Sequence, residues 1–250
     1  DGRATVRRDG IDAAHLGPGD HVGELALLDD RPRNATVTAD TALVEWEFEE
    51  GDHCPDRDRP ALTARVSGVT DLEIWNRVAA ALERDEVVVG LDAPLSYQPG
   101  GGDRPGDSAL RRVLVARGLP SGSVMPPTLT RMIYLTARGM AVARGVEQVV
   151  IGGRRARIVE VHPSGALVLR GADVQAVRVM KREASARATL FKWLRRQGLG
   201  GPNEFMTSDM GRDHLIAACA AAWAARDWAR ERPLWLWPAQ PPEYPFDYAC

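Results

Sequence analysis

Short runs that alternate between apolar and polar residues fill the first fifty positions of the chain. Clusters of glycine, aspartate and proline, the residues that favour turns, separate these runs. An alternation of period two indicates β-strands with one buried face, so the pattern predicts a meander of antiparallel strands. The predicted strands are residues 4–8, 23–28, 34–39 and 42–48.

Helical periodicity begins after a polar, proline-containing connection at residues 51–60. Thr70, followed three residues later by Glu73, has the spacing of a capping box, which predicts a helix from there to about Arg84. Further helices are predicted at residues 108–117, 128–147, 173–181, 184–197 and 213–230.

Two later apolar runs are typical of central strands. Residues 87–91 form a continuous apolar run that ends at Asp92, and residues 157–161 form a second one that contains Glu160. The first run, which charged residues bound on both sides, indicates a strand that is buried on both faces of a sheet. Residues 234–238 alternate leucine and tryptophan, which predicts either an edge strand that packs its tryptophans, the commoner case, or a docking surface. Strands that alternate with helices predict an α/β fold with a mixed sheet.

Composition narrows the class of protein. With 250 residues, 44% of them apolar and 26% charged, the chain is expected to fold as one large globular domain or two small ones. A net charge of −2 argues against a basic coat for nucleic acid. No apolar run reaches the roughly 18–20 residues of a membrane helix. We expect a cytoplasmic protein, because the three cysteines are widely spaced and the N-terminus has no signal-peptide pattern. The sequence starts at Asp1 instead of a methionine, which is consistent with a missing upstream piece.

Three carboxylates stand where predicted strands and helices begin or end. Asp92 follows a central strand, where α/β sheets bind ligands and metals, or it caps the turn that follows. Glu160 lies near the end of another central strand, and because a buried carboxylate needs a partner it belongs either to a site or to an ion pair. Asp213 begins the last helix, where an acidic residue also suits the helix dipole.

Oxygen ligands of this kind suit Mg²⁺ or Mn²⁺ and, in pairs, two-metal phosphoryl chemistry. Asp107 and Arg111 share a helix face, as surface ion pairs commonly do. Alternatively, Arg104, Asp107 and Arg111 beside the glycine-rich loop hold a phosphate, with the two arginines as its contacts, or orient a carboxylate. The chain lacks the CxxC, HExxH, Walker, GxSxG and GxGxxG motifs. Zinc proteases, P-loop enzymes, α/β-hydrolases and dinucleotide dehydrogenases therefore lose their main sequence support.

Four motifs in a fixed order carry a resemblance to a known family. They are VVGLDAPLS at residues 88–96, RPGD at 104–107, VEVHP at 159–163, and DH at 213–214 before an alanine-rich helix. Over most of its length the chain resembles a bacterial and archaeal family of predicted nucleases with an RNase H-like fold, which is catalogued as a domain of unknown function.

The resemblance implies an RNase H-like mixed sheet flanked by helices, with catalytic carboxylates that bind Mg²⁺ or Mn²⁺ and with nucleic acid as the partner. Residues 10–14 match the family's first-strand pattern and contribute one of these acids. The implied ligands and catalytic groups are Asp12, Asp92, Glu160 and Asp213.

Residues 1–48 also resemble part of a second family. The segments LGPGD at 16–20, GELALL at 23–28 and PRNATV at 32–37 look like the phosphate-binding cassette of cyclic-nucleotide-binding domains. The resemblance implies that Glu24 holds the ribose hydroxyl and Arg33 the cyclic phosphate. Only the second half of such a β-roll is present.

Residues 1–50 thus have two interpretations, as the first strands of the RNase H-like domain at residues 51–250 or as a partial β-roll beside it. The first interpretation, in which residues 1–50 complete the sheet, is favoured, because a central sheet edge that is left uncovered promotes aggregation. The expected function is metal-dependent hydrolysis of phosphodiester bonds in nucleic acid. The alternatives are a regulatory module that binds a cyclic nucleotide and an RNase H-like scaffold without catalysis.

Overall fold

The structure, a computed structural model, describes residues 70–197 and 213–250 in full and the backbone of five strands before residue 70. Its strands are β1 (Ala4–Arg8), β2 (Ile11–Leu16), β3 (Thr36–Ala39), β4 (Ala42–Glu47), β5 (Ala61–Ser67), β6 (Val88–Leu91), β7 (Arg157–Val161), β8 (Leu236–Trp237) and β9 (Tyr248–Ala249). Its α-helices are α1 (Asp71–Leu82), α2 (Pro105–Ala116), α3 (Thr130–Gln148), α4 (Pro163–Leu169), α5 (Val174–Val179), α6 (Ala184–Arg196) and α7 (Asp213–Ala229).

The last four strands form one mixed, open sheet in the order β6-β7-β9-β8. β6 and β7 are parallel, as are β7 and β9, whereas β8 runs antiparallel to β9. This arrangement confirms the predicted α/β class with a mixed sheet flanked by helices, and β8 confirms the predicted edge strand. β9 is not among the predicted strands, since two residues are too few to show an alternation.

Helices cover this sheet on both faces. On one face α4, α6 and α7 form a core with Val159 and Val161 of β7. On the other face α1 and α3 form a second core with Ile158. Neighbouring residues of β7 therefore enter two different cores, as expected for a strand whose side chains alternate between the faces of a sheet. β6, for which burial on both faces was predicted, is half-buried, with Val88 packed against the first core and with Val89 and Leu91 packed against the second.

A glycine lets α7 approach β6 closely. A Cβ atom at Gly90 would lie 2.6 Å from the carbonyl oxygen of Ala221 and 2.9 Å from the Cβ of Ala225. Both distances are too short for real contacts, so the helix reaches this position only over a residue without a side chain. The alanine-rich sequence of α7 serves the same purpose, because small side chains allow close packing on the strand.

Local signals explain the helix boundaries. The hydroxyl of Thr70 accepts the N–H of Glu73 at 3.3 Å and the Glu73 carboxylate accepts the N–H of Thr70 at 2.7 Å, which confirms the predicted capping box of α1. α2 begins three residues before its predicted start, with Pro105 in its first turn. α4 is absent from the prediction because a helix of seven residues is too short to show a periodicity. No helix among the described residues has the length and apolar character needed to cross a membrane.

The strands before residue 70 form two further ladders. β1 pairs with β2 and with β3 in an antiparallel sheet of order β2-β1-β3, and β4 pairs with β5. The predicted strand at residues 4–8 is confirmed, whereas residues 23–28 lie outside the described residues. β4 lies against α7, the helix that also covers β6. Among the described pairings, none joins the first fifty residues to β6.

Candidate functional site

The carboxyl ends of β6 and β7 lie side by side, because the two strands are parallel and Leu91 pairs with Glu160. Asp92 follows directly after Leu91, so both carboxylates stand at the same edge of the sheet. The chain then turns across the end of β7, where the N–H of Leu95 donates to Oε2 of Glu160 at 2.8 Å. The structure therefore brings Asp92 and Glu160 to the same edge of the sheet.

A buried arginine holds Glu160. Nη1 of Arg104 donates to Oε2 of Glu160 at 2.7 Å, and Nη2 donates to Oε1 at 2.5 Å. The same guanidinium binds Asp107 through Nε at 2.9 Å and Nη2 at 2.8 Å, and it donates to Oγ of Ser96 at 3.0 Å. Arg104, Asp107 and Glu160 are 5%, 1% and 4% exposed. Arg104, Asp107, Glu160 and Ser96 are called the Arg104 cluster below.

The charges of the Arg104 cluster stabilise one another. Burial raises the pKa of Glu160, and the hydrogen bonds from Arg104 and from the Leu95 N–H oppose that shift. Burial alone would lower the pKa of Arg104, but its hydrogen bonds to Asp107 and Glu160 raise it above its ordinary value. The Arg104 guanidinium thus donates to two buried carboxyl groups, those of Asp107 and Glu160. Each group of the cluster is costly to bury without the others.

Aromatic rings close the cluster from the side of β9. The guanidinium carbon of Arg104 lies 5.3 Å from the centre of the buried Tyr248 ring, within the range of a cation–π contact. Burial first, and the charge of Glu160 second, raise the pKa of the Tyr248 phenol well above its ordinary value. Trp235 packs edge-on against the same ring, with the ring centres 5.3 Å apart. The C-terminal strands therefore help to keep water away from the Glu160 carboxylate.

Asp92 has a different environment. Its side chain is exposed, and it makes no hydrogen bond or ion pair with the residues that the structure describes. Nevertheless its pKa is raised from 3.8 to about 6, chiefly by desolvation and further by the charges of Asp213 and Glu160, with Lys181 acting in the opposite direction. Asp92 thus combines access to solvent with a charge that its surroundings disfavour. The part of the surface around Asp92 is called the cleft below.

Asp213 reaches this cleft from the start of α7. It is buried, and its Oδ1 lies 3.9 Å from Nε2 of His214. α7 packs on β6 at Gly90 and Ala221, and the charge of Asp213 raises the pKa of Asp92. The interpretation of Asp213 as a dipole-stabilising acid and its interpretation as a site residue are both compatible with this position.

His162 has a structural role. Its Nδ1 accepts the N–H of Gly165 at 3.0 Å and so caps α4, while Nε2 lies 2.8 Å from the carbonyl oxygen of Ser123. This pattern requires a neutral imidazole with its proton on Nε2. Burial lowers the pKa of His162, which favours the same neutral form.

The two arginines proposed as phosphate contacts both donate to the protein. Arg104 belongs to the cluster described above. Arg111 binds Asp103 and also donates from Nη2 to the carbonyl oxygen of Val124 at 2.7 Å. The helix spacing suggested a pair of Asp107 with Arg111. The structure instead pairs Arg104 with Asp107 and Arg111 with Asp103, because α2 begins early enough to bring Arg104 within reach of Asp107.

The N-terminal candidates remain predictions. Asp12 lies in β2, of which the structure describes the backbone, with Arg7 of β1 as its register partner. Glu24 and Arg33 lie outside the described residues.

The donor set at the cleft fits a metal ion only in part. In the described part of the chain, no three or more His, Cys, Asp or Glu side chains form a group arranged to hold an ion. Both oxygens of Glu160 already accept hydrogen bonds, so this residue does not fit as a ligand. Asp92, whose oxygens make no such bond with the described residues, fits better, since Mg²⁺ is commonly held by one or two carboxylates together with substrate phosphates. Asp213 is the carboxylate whose charge acts most strongly on Asp92.

Lys181 is the residue of this cleft that the sequence pattern did not single out. It follows α5, it is exposed, and its charge lowers the pKa of Asp92. One feature of the sequence could have drawn attention to it, because two of the 32 basic residues are lysines, Lys181 and Lys192, and the rest are arginines.

Fold and site together define an α/β protein with a carboxylate-lined cleft at the edge of a mixed sheet. Residues 30–243 match the family described as "Protein of unknown function (DUF429)", and the chain belongs to that family. Residues 1–53 match the model described as "Cyclic nucleotide-binding domain", so the resemblance of this segment is confirmed as well. Searches of curated proteins and of solved structures gave no significant match.

Proposed function

We propose that the protein hydrolyses phosphodiester bonds of nucleic acid at the cleft between Asp92 and Asp213, with Mg²⁺ or Mn²⁺ bound there. One observation carries the proposal. Asp92 stands at the carboxyl end of a central strand, next to a second carboxylate, and has no bonding partner among the described residues. A structural carboxylate in such surroundings would be expected to have one.

The residues of the cleft have different roles in the proposed reaction. Asp92 and Asp213 hold the ion, which when bound lowers the pKa of a water molecule and stabilises the leaving oxygen. Glu160 accepts the N–H of Leu95 and so fixes the turn that follows Asp92, with Arg104 holding Glu160 in place. In this role Glu160 is a positioning residue instead of a ligand.

Cleavage assays test the proposal. Single- and double-stranded DNA and RNA are incubated with the full chain in Mg²⁺, in Mn²⁺ and in EDTA. We expect cleavage that depends on the divalent ion and that falls by about 100-fold or more in Asp92→Asn and in Asp213→Asn. Asp85→Asn is the matched control, because Asp85 is exposed in the turn after α1. Wild-type rates in Asp92→Asn would refute the assignment.

Absence of cleavage under every condition would favour the alternative, an RNase H-like scaffold without catalysis. A cytoplasmic location is part of the proposal, since the buried free thiols of Cys219 and Cys250 are compatible with a reducing compartment.

A second candidate function is the binding of a cyclic nucleotide, which the family match over residues 1–53 favours. Glu24 and Arg33 would hold the ribose hydroxyl and the phosphate. Calorimetry with cyclic AMP and cyclic GMP tests it, and we expect heat with one of them that is lost in Arg33→Ala. No heat at millimolar ligand would exclude this function.

A further inference from the structure

Positive charge is concentrated in one part of the chain. Residues 174–197, which include α5 and α6, contain seven basic residues and one acidic residue, whereas the whole chain has a net charge of −2. Six of the seven basic side chains are exposed. They are called the basic face below and comprise Arg178, Lys181, Arg182, Lys192, Arg195 and Arg196. A net charge near zero therefore does not describe this part of the surface.

Packing of α5 and α6 turns these charges outward. The two helices lie against each other, and the apolar side chains that they bury in the core are those of Ala176, Val177, Leu190, Phe191 and Leu194. The seventh basic residue, Arg187, donates from Nη1 to the carbonyl oxygen of Met180 at 2.7 Å and so ties α6 to the residue after α5. Lys192 and Arg196, four residues apart, share one side of α6. The basic face is therefore the outer surface of one packed pair of helices.

Four members of the basic face differ from arginines elsewhere in the chain. Arg104, Arg111 and Arg138 each bind a carboxylate. In contrast, the side chains of four members make no hydrogen bond or ion pair with the residues that the structure describes, namely Lys181, Arg182, Lys192 and Arg196. Lys192 and Arg196 are also like charges at a spacing that destabilises a helix. The stability of the fold does not explain such a surface, whereas the binding of a polyanion does.

The composition of the basic face favours nucleic acid over an anionic membrane. No large apolar side chain of residues 174–197 is exposed, whereas helices that lie on a membrane bury such side chains among the lipids. Four of the six members are arginines, whose planar guanidinium matches a phosphate through two parallel hydrogen bonds. α6 has 13 residues and is about 20 Å long, so its charges can follow several phosphates of one strand.

The basic face belongs to the same layer of helices as Asp213. Trp193 of α6 contacts Trp223 of α7, with the ring centres 5.9 Å apart, and both helices contribute to one core. α7 begins at Asp213. A strand bound along the basic face is therefore held by the helices that also support one of the proposed metal ligands.

We propose that the basic face binds the sugar–phosphate backbone of a nucleic acid outside the cleft. The inference rests on the proposed function, which makes nucleic acid the substrate, and it adds the surface that holds the part of the strand that is not cleaved. A lysine or arginine that neutralises a phosphate releases a condensed counterion. Binding at this face therefore depends steeply on salt and little on base sequence. No covalent bond changes at the basic face.

Fluorescence anisotropy of labelled oligonucleotides, in EDTA to prevent cleavage, measures the binding. Single- and double-stranded DNA and RNA are compared with vesicles of phosphatidylcholine and phosphatidylserine, whose binding is followed by sedimentation. The test variant combines Arg182→Ala, Lys192→Ala and Arg196→Ala. We expect it to raise Kd for oligonucleotides by about 10- to 100-fold and to lower the slope of log Kd against log salt by about 2. The double variant Arg182→Lys, Arg196→Lys keeps the charge and should keep the affinity.

A matched control removes the same charge from other helices. Arg112, Arg117 and Arg131 are exposed on α2, directly after α2 and on α3, and their triple alanine variant should leave Kd unchanged. Wild-type Kd in the test variant, or equal losses in the test and control variants, would overturn the inference. Binding to the vesicles but to no oligonucleotide would overturn it as well.

Cleavage in Mn²⁺ separates the basic face from the cleft. We expect the test variant to lower kcat/KM for a long oligonucleotide and to leave kcat/KM unchanged for a dinucleotide, which has no phosphate outside the cleft. A loss for the dinucleotide as well would show an effect on the cleft itself and would overturn the inference. Cleavage with wild-type binding in the test variant would overturn the inference and leave the proposed function standing. Binding that depends on the basic face, without cleavage of any substrate, would overturn the proposed function and support the inference.

Discussion

The ends of β6 and β7 carry a carboxylate each, and the two carboxylates have opposite environments. Glu160 on β7 is buried, with both oxygens bonded to Arg104 and one also to the Leu95 N–H. Asp92, after β6, is exposed, and its pKa is raised to about 6, chiefly by desolvation and further by the charges of Asp213 and Glu160. The two groups lie at neighbouring positions of the same sheet edge, yet one is satisfied by the protein and the other is open to a ligand.

The difference shows what separates a structural carboxylate from a functional one. A strand-end acid that meets an arginine from another element becomes part of the framework, because a paired, hydrogen-bonded charge is stable when buried. An acid that meets another acid and solvent has unused oxygens and a disfavoured charge, which are the properties of a ligand-binding group. Each prediction below changes one side of this comparison.

Arg104→Ala should have the largest effect. The substitution leaves two buried carboxylates without their common partner, so we expect the free energy of unfolding to fall by about 3–5 kcal/mol. Urea denaturation measures it. Arg111→Ala, which removes a more exposed pair with Asp103, should cost about 1 kcal/mol and is the matched control. Equal losses in the two variants would mean that the Arg104 cluster is not the structural centre of this edge.

Glu160→Gln should cost less, about 1–3 kcal/mol. The amide oxygen can still accept the Leu95 N–H and Asp107 still binds Arg104, but one guanidinium donor loses its acceptor. Thermal denaturation and cleavage, measured together, sharpen the comparison. A positioning role predicts a loss of stability and only a partial loss of cleavage. Complete loss of cleavage at unchanged stability would make Glu160 a metal ligand after all.

His162→Ala should cost about 1–2 kcal/mol at pH 7.5, because the N-terminus of α4 loses its cap and the Ser123 carbonyl oxygen loses its donor. The pKa of His162 is lowered in the folded chain, so below the ordinary value of 6.5 the unfolded chain binds a proton that the folded chain does not. Wild-type stability should therefore fall as the pH drops below that value. Urea titrations measure the difference in free energy of unfolding between wild type and variant, and this difference should be smaller at pH 5.5 than at pH 7.5. A larger difference at pH 5.5 would show a charged His162.

Asp92→Asn should have the smallest effect on stability. The pKa of Asp92 is about 6 in the folded chain against an ordinary 3.8, so above pH 6 its charge opposes folding, and this penalty disappears as the pH falls toward 3.8. In EDTA at pH 7 the variant should be at least as stable as wild type. At pH 5 the stability of wild type should rise relative to that of the variant. Urea midpoints measure both, with Asp85→Asn as control. A variant less stable at pH 7 would reveal a cationic partner for Asp92.

Much of the fold could be predicted because its signals are local. The capping box of Thr70 and Glu73, the apolar runs of β6 and β7 and the start of α7 each depend on residues close together in the chain. The short elements could not be predicted, since α4 and β9 are too brief for a periodicity and β9 gains its place only by pairing with β7 and β8.

The sequence by itself determined which groups at the sheet edge are charged: the carboxylates after β6, on β7 and at the start of α7 follow from the order of apolar runs and polar residues. Only the tertiary structure decided what each carboxylate does. Arg104 lies 56 residues from Glu160 in the chain, and no spacing rule joins them. Long-range packing brings the arginine to Glu160 and away from Asp92. The environment of a charge is set by whatever elements fold against it, and this is why two similar acids at one edge have different roles.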